Sequence, residues 1–130
     1  MILLDTHVVV WLMTSPERIS KASAEAIAHW GTRGERPAVS SATVCEIAYG
    51  IRRGRIALHL SVPEFLSKLR LAFELRPVSD VIAFQAAAIP EPFHGDPMDR
   101  IIMATAIVED CLLLTADGRI RESGVCKTLW

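Results

Sequence analysis

Two short, wholly apolar runs, each followed by an aspartate, constrain the fold of this chain most. Ile2-Leu3-Leu4 stops at Asp5, and Leu112-Leu113-Leu114 passes through Thr115 and Ala116 to Asp117. A strand with one wet face alternates apolar and polar residues. A run without alternation suits a strand covered on both faces of a parallel sheet. Side by side, two such strands would bring Asp5 and Asp117 together at the carboxyl edge, where open α/β sheets bind ligands. The simpler use of either aspartate is to cap the helix that follows it.

The remaining segments fit the same architecture. Thr6 can cap a helix through Val8, Val9, Val10, Trp11 and Leu12, and Ser15-Pro16 breaks the chain after it. A helix is expected over Ser20 to Trp30, with Ala22, Ala26, Ile27 and Trp30 on one side. Residues 31–37 form a polar loop, and Ala38-Val39 is a second strand. Ser40 and Ser41 offer caps for a helix from Ala42 to Arg53, whose apolar stripe is Val44, Ile47, Ala48 and Ile51. Glu46 lies off that stripe, near Thr43, Tyr49 and Gly50, where a glutamate is ordinarily solvated. Arg52, Arg53 and Arg55 suit a helix C-terminus and could also hold phosphates.

Ser61 opens a further helix with Phe65, Leu66, Leu69 and Phe73 inward. Glu74 to Val78 is a strand that Pro77 confines to a sheet edge. Ser79-Asp80 caps a helix through Ala88, which Pro90 and Pro92 end. Val125 to Trp130 is a second edge strand. Strands alternating with helices give an α/β fold: one domain over residues 1–130, with a central parallel sheet of about four or five strands and helices on both faces.

Between the last helix pair lies His94-Gly-Asp-Pro-Met-Asp-Arg-Ile-Ile-Met-Ala-Thr-Ala106. Asp96 is a good N-cap and Pro97 fits the first helical position. Asp99 heads the face of Ile102, Met103 and Ala106, on a helix running to about Asp110. A carboxylate there is costly to desolvate unless a cation meets it. As an acidic first turn it would also favour the helix dipole, and this stretch alone leaves both readings open.

No apolar run reaches the roughly 18 residues a membrane span needs, and Met1-Ile-Leu-Leu-Asp5 lacks the basic start of a signal peptide. Three cysteines without a CxxC spacing suit a reducing compartment, the cytosol. Net charge is −1. Setting Asp5, Glu46, Asp96, Asp99 and Asp117 aside leaves 10 acidic against 14 basic residues, a balance that can hold a polyanion around an acidic site.

Gathered carboxylates repel and raise one another's pKa values, and no lysine stands in the acidic segments. Mg²⁺ or Mn²⁺, which take hard oxygen ligands, would relieve this. Zinc is disfavoured because the four histidines show no ligand spacing; His94 borders the acids as a loop residue.

Leu4-Asp5-Thr6-His7, Ser41-x4-Glu46-Ile47, Asp96-Pro-Met-Asp99-Arg-Ile-Ile-Met-Ala-Thr-Ala106 and Leu114-Thr115-Ala116-Asp117 resemble the successive motifs of PIN-domain proteins. Within that family they look most like VapC-type toxins of toxin–antitoxin pairs. The resemblance implies a Mg²⁺- or Mn²⁺-dependent endoribonuclease. Asp5, Glu46, Asp99 and Asp117 match its four acids, with Asp5, Asp99 and Asp117 as metal ligands. Thr6, Asp96 and Thr115 match supporting positions. It also implies a homodimer silenced by an antitoxin, with Val8 to Leu12 and residues 44–51 as contact surfaces. Trp11 fits a base-stacking, core or dimer-contact role.

Two rivals differ in kind. A haloacid-dehalogenase-like phosphatase needs a second aspartate two residues after the first, and His7 stands there. A non-catalytic nucleic-acid- or antitoxin-binding module would keep the acids only for folding. DNA as substrate, and the identity of any RNA, stay open.

Overall fold

Strands of two or three residues cannot hold themselves flat, so this sheet depends on what covers it. The computed structural model describes residues 1–57, 59–90 and 96–130. Within them the order is β1 (Ile2–Leu4), α1 (Thr6–Thr14), α2 (Lys21–Thr32), β2 (Ala38–Ser40), α3 (Ser41–Arg52), α4 (Val62–Ala72), β3 (Glu74–Arg76), α5 (Asp80–Ala88), α6 (Pro97–Val108), β4 (Leu112–Leu114), α7 (Gly118–Ser123) and β5 (Thr128–Leu129). A 3-10 turn at Pro16–Arg18 follows α1.

The sheet order is β3-β2-β1-β4-β5, and every neighbouring pair is parallel. Both expected edge strands lie at the edges. The apolar runs β1 and β4 are neighbours, with Leu4 level with Leu114 and with Val39 of β2. The chain reverses its direction of winding between β1 and β4, which makes their carboxyl ends the switch point where such sheets leave a crevice.

Both faces are covered. Ile2, Leu4, Val39 and Leu114 pack with Val8 and Val9 of α1, Ile47 of α3, and Phe65 and Leu69 of α4. Leu3, Ala38 and Leu113 point the other way, onto Ile82 of α5, Ile102 and Met103 of α6, and Ile120 of α7. Burying a leucine-sized side chain contributes about 1.5–3 kcal/mol, so the short central strands β1, β2 and β4 persist because their residues are sandwiched between the two layers.

Helix starts follow the expected chemistry. Ser20, Ser79 and Asp96 cap α2, α5 and α6, and Ser61 with Glu64 forms a capping box at α4. Several expectations need correction. Asp5, not Thr6, caps α1. Ser40 alone caps α3, and Ala48 of the expected stripe is exposed; the buried face runs through Ala42, Thr43 and Ile47. Helix α6 stops at Val108, because Asp110 adopts φ 47° and Cys111 N–H reaches back to Ala106 O at 2.8 Å, a Schellman closure. Helix α7, absent from the sequence reading, is capped by Asp117 and closed by Gly124 at φ 63°. Pro92 and His94 lie outside the described residues. Among the described residues no helix is long and apolar enough to cross a membrane.

Candidate active site

The carboxyl ends of β1 and β4 converge on Asp5. One step beyond Leu4, it stands level with Ser40 and Thr115 in the sheet register. It is almost fully buried, at 2% exposure. Its Oδ1 accepts Thr6 N–H at 2.7 Å, and its Oδ2 accepts the Thr115 hydroxyl at 2.6 Å. Asp5 therefore caps α1 and still has acceptor capacity, since a carboxylate offers about four lone-pair sites. The Thr115 hydroxyl also accepts Asp117 N–H at 3.0 Å, so one side chain ties the first acid to the fourth.

Asp117 caps α7 by accepting Arg119 N–H at 2.7 Å and Ile120 N–H at 3.4 Å. Asp99 stands in the first turn of α6, with Ile102, Met103 and Ala106 buried on its face as the spacing predicts. Glu46 comes from α3, where Thr6 Oγ1 donates to its Oε2. The face that carries it is thus a second inward face, lined by buried Thr43, rather than a solvated one. Asp96 is an exposed cap whose Oδ1 accepts Met98 N–H at 2.9 Å.

These acids share one electrostatic field. Burial, then Asp5, Asp117 and Asp96, push Asp99 up to about 6. Burial also raises Glu46, with Asp99, Asp5 and Asp96 adding to it against the Thr6 hydrogen bond. Asp117 is lowered, chiefly by its side-chain bond to Arg119. His7, largely exposed, has Nδ1 3.9 Å from Asp5 Oδ2; polar contact with Asp5 raises its pKa against partial burial, and the other acids add to the rise.

Hard carboxylate oxygens that resist ionising together suit a divalent cation. The donor chemistry fits Mg²⁺ or Mn²⁺. Among the described residues no three acidic, histidine or cysteine side chains converge on one point. Thr6 holds Glu46 through Oε2, and Arg119 lies on Asp117 Oδ2, so an ion that reaches Asp117 meets the guanidinium there.

Arg119 and His7 are site residues that the sequence reading did not assign. Arg119 belongs to none of the quoted motifs, and its place follows from the unforeseen α7. His7 carried a signal, since it stands two residues after Asp5 in the first motif.

Arg52, Arg53 and Arg55 are not brought to the acids. They are exposed at and just past the far end of α3, with Arg52 six residues and roughly 9 Å of helix beyond Glu46. Val8 and Val9 are fully buried and cannot form a contact surface. Trp11 is packed in a row, 5.8 Å from the His7 ring and 5.6 Å from Trp130, under the Arg18 guanidinium. An apolar groove of about 840 Å³ lies elsewhere, lined by Leu12, Met13, Ile27, Leu60 and Phe73 among others.

Comparison with known proteins agrees with this geometry. The PIN domain profile matches residues 2–124. Ribonuclease VapC22 of Mycobacterium tuberculosis is 36% identical over 121 residues, covering 93% of this chain and 90% of that protein. Solved structures share the fold. DNA-bound VapBC from Salmonella typhimurium has TM-score 0.72 at 16% identity, covering 99% of this chain and 98% of that one. VapBC2 from Rickettsia felis, bound to a promoter DNA fragment, has TM-score 0.71 at 18% identity, with coverage of 99% and 98%. A toxin–antitoxin complex from Klebsiella pneumoniae has TM-score 0.68 at 19% identity, covering 100% and 97%. A profile match over nearly the whole chain, on a parallel sheet with its acids at the switch point, means that this chain belongs to the PIN-domain family.

Proposed function

We propose that this chain is a VapC-like ribonuclease, the toxin of a toxin–antitoxin pair, which cleaves RNA with Mg²⁺ or Mn²⁺. The observation that carries the reading is the gathering of Asp5, Glu46, Asp99 and Asp117 in one field, from four separate segments, at the carboxyl ends of β1 and β4. The name and 36% identity of Ribonuclease VapC22 support the activity.

Asp5, Asp99 and Asp117 would hold the metal. When bound, the ion would polarise the scissile phosphate and lower the pKa of a water. Thr115 fixes Asp5 in one rotamer through its 2.6 Å hydrogen bond. Glu46, pinned by Thr6, accepts a hydrogen bond from the attacking water and orients it in line with the leaving 3′-oxygen. The water gives up its proton to Glu46 as it attacks; inversion at phosphorus expels the 3′-oxygen, which takes a proton from solvent, leaving a 5′-phosphate and a 3′-hydroxyl. Arg52, Arg53 and Arg55, at the far end of α3, hold phosphates remote from the cut.

An antitoxin would lay an apolar segment in the groove beside Leu12 and Met13. A second copy would dock on α5, where Val81 is 58% and Phe84 78% exposed, three residues apart on one face. The cytosol, as a reducing compartment, would keep the three unpaired thiols reduced.

Chelated protein incubated with total RNA, with and without added Mn²⁺, tests the reading. Cleavage that returns with metal supports it. Intact RNA under every metal condition, from folded protein, favours the non-catalytic module.

A further inference from the structure

Arg119 lies across two of the four acids. Its Nη2 is 3.0 Å from Asp117 Oδ2, its Nε is 3.4 Å from Asp117 Oδ1, and Nη2 is also 3.8 Å from Asp99 Oδ2. The two carboxylates are mostly buried, at 14% and 17% exposure, whereas the arginine side chain is 69% exposed. One edge of the guanidinium thus covers the acids while the rest faces solvent. We propose that Arg119 is an exchangeable cation. In the metal-free chain it pairs with Asp117 and lies against the edge of Asp99; when a divalent ion takes those carboxylates, it swings outward and binds an RNA phosphate beside the scissile bond. The proposal rests on the reading that these acids hold a metal and that the chain cleaves RNA.

Three features support an exchange rather than a fixed pair. First, the guanidinium sits on oxygens the ion would take, and the two positive charges repel one another there. Second, exposed ion pairs are weak, so leaving costs little. Third, the backbone of Arg119 stays put when its side chain moves. Its N–H is held by Asp117 Oδ1 at 2.7 Å, and Ile120 behind it is fully buried. The released group is therefore delivered at the rim of the site. A guanidinium binds phosphate through two parallel hydrogen bonds, which a lysine cannot reproduce.

The exchange makes two effects of one substitution run in opposite directions. Calorimetry of the metal-free full chain with Mn²⁺ should show Arg119→Ala binding the ion about three- to tenfold more tightly than wild type. A labelled mixed-sequence single-stranded RNA, titrated in Ca²⁺ and checked to be intact, should bind the variant about three- to tenfold more weakly. Its logarithmic salt dependence should fall by about one. Arg119→Gln serves as a second variant should the alanine protein fold poorly.

Unchanged or weaker Mn²⁺ binding by the variants would overturn the proposal, because Arg119 would then be a fixed part of the site. Tighter Mn²⁺ binding with unchanged RNA binding would overturn the delivery to phosphate. If wild type and variants bind Mn²⁺ equally while wild type still cuts RNA, the exchange fails and the nuclease reading stands. If no protein binds Mn²⁺, both fail.

Discussion

Asp99 is where folding and function conflict most plainly. A carboxyl that titrates near 6 rather than 3.8 costs the folded, metal-free chain about 3 kcal/mol at neutral pH. Below pH 3.8 the group is protonated in both folded and unfolded chains, and its contribution to stability is fully present. It is lost as pH rises to about 6. The raised Glu46 acts in the same direction, and the raised His7 extends the loss upward from 6.5. In chelator, Asp99→Asn is therefore expected to be more stable than wild type at pH 7, by up to about 3 kcal/mol, and equal to it near pH 3; urea melts at the two pH values check this. Equal stability at pH 7 would mean that Asp99 does not carry the strain. Much at this scale was legible in the sequence. Asp5, Asp99 and Asp117 are marked by position, just past an apolar run or at the head of an apolar helix face. Glu46 was marked only by the motif it shares with the family, because a single stripe on α3 hid a second inward face through Thr43. Arg119 was not, because its place depends on a six-residue helix with only Ile120 buried.

Each acid is aimed by an element, and α6 shows how. Asp96 caps it and Pro97 fills its first turn. The neighbour of Asp99, Arg100, donates from Nε to Ala86 O at 3.0 Å and from Nη2 to Ile89 O at 2.6 Å, capping the end of α5. Helix α6 is thereby clamped at the turn that presents Asp99. Removing a cap costs about 1 kcal/mol. Asp96→Ala should lose about that much stability and keep most of the cleavage rate, and Asp96→Ser should recover the stability. Thermal melts beside a cleavage assay check this; a collapse of activity in a still-folded serine variant would make Asp96 a ligand instead. Helix starts were legible because side chains perform the capping. Helix ends were less so: α6 closes on Asp110 in a left-handed conformation where a glycine is the usual signal. Arg52, Arg53 and Arg55 were read by charge alone, and charge carries no information about which end of α3 faces the acids.

At the scale of the whole molecule, the strand order decides where chemistry can occur. With β1 and β4 adjacent and the chain winding away on either side of them, their carboxyl ends form the switch point, where the buried Thr115 hydroxyl holds Asp5. The adjacency of β1 with β4 follows from their uninterrupted apolar runs, and the edge position of β3 from Pro77. The surface is less legible, since exposure depends on packing: Val8 and Val9 are buried while Phe84 is not. Phe84→Glu is expected to convert a dimer to a monomer in light scattering; a wild type that is already monomeric would remove α5 as an interface.

The measurement to make first is cleavage of total cellular RNA in Mn²⁺ by wild type beside Asp99→Asn, with the fragment ends mapped. Discrete fragments bearing 5′-phosphates, made by wild type and absent with the variant, are the expected result. Cleavage by both proteins alike, or by neither in a folded and Mn²⁺-saturated state, would contradict an active site built on these four acids.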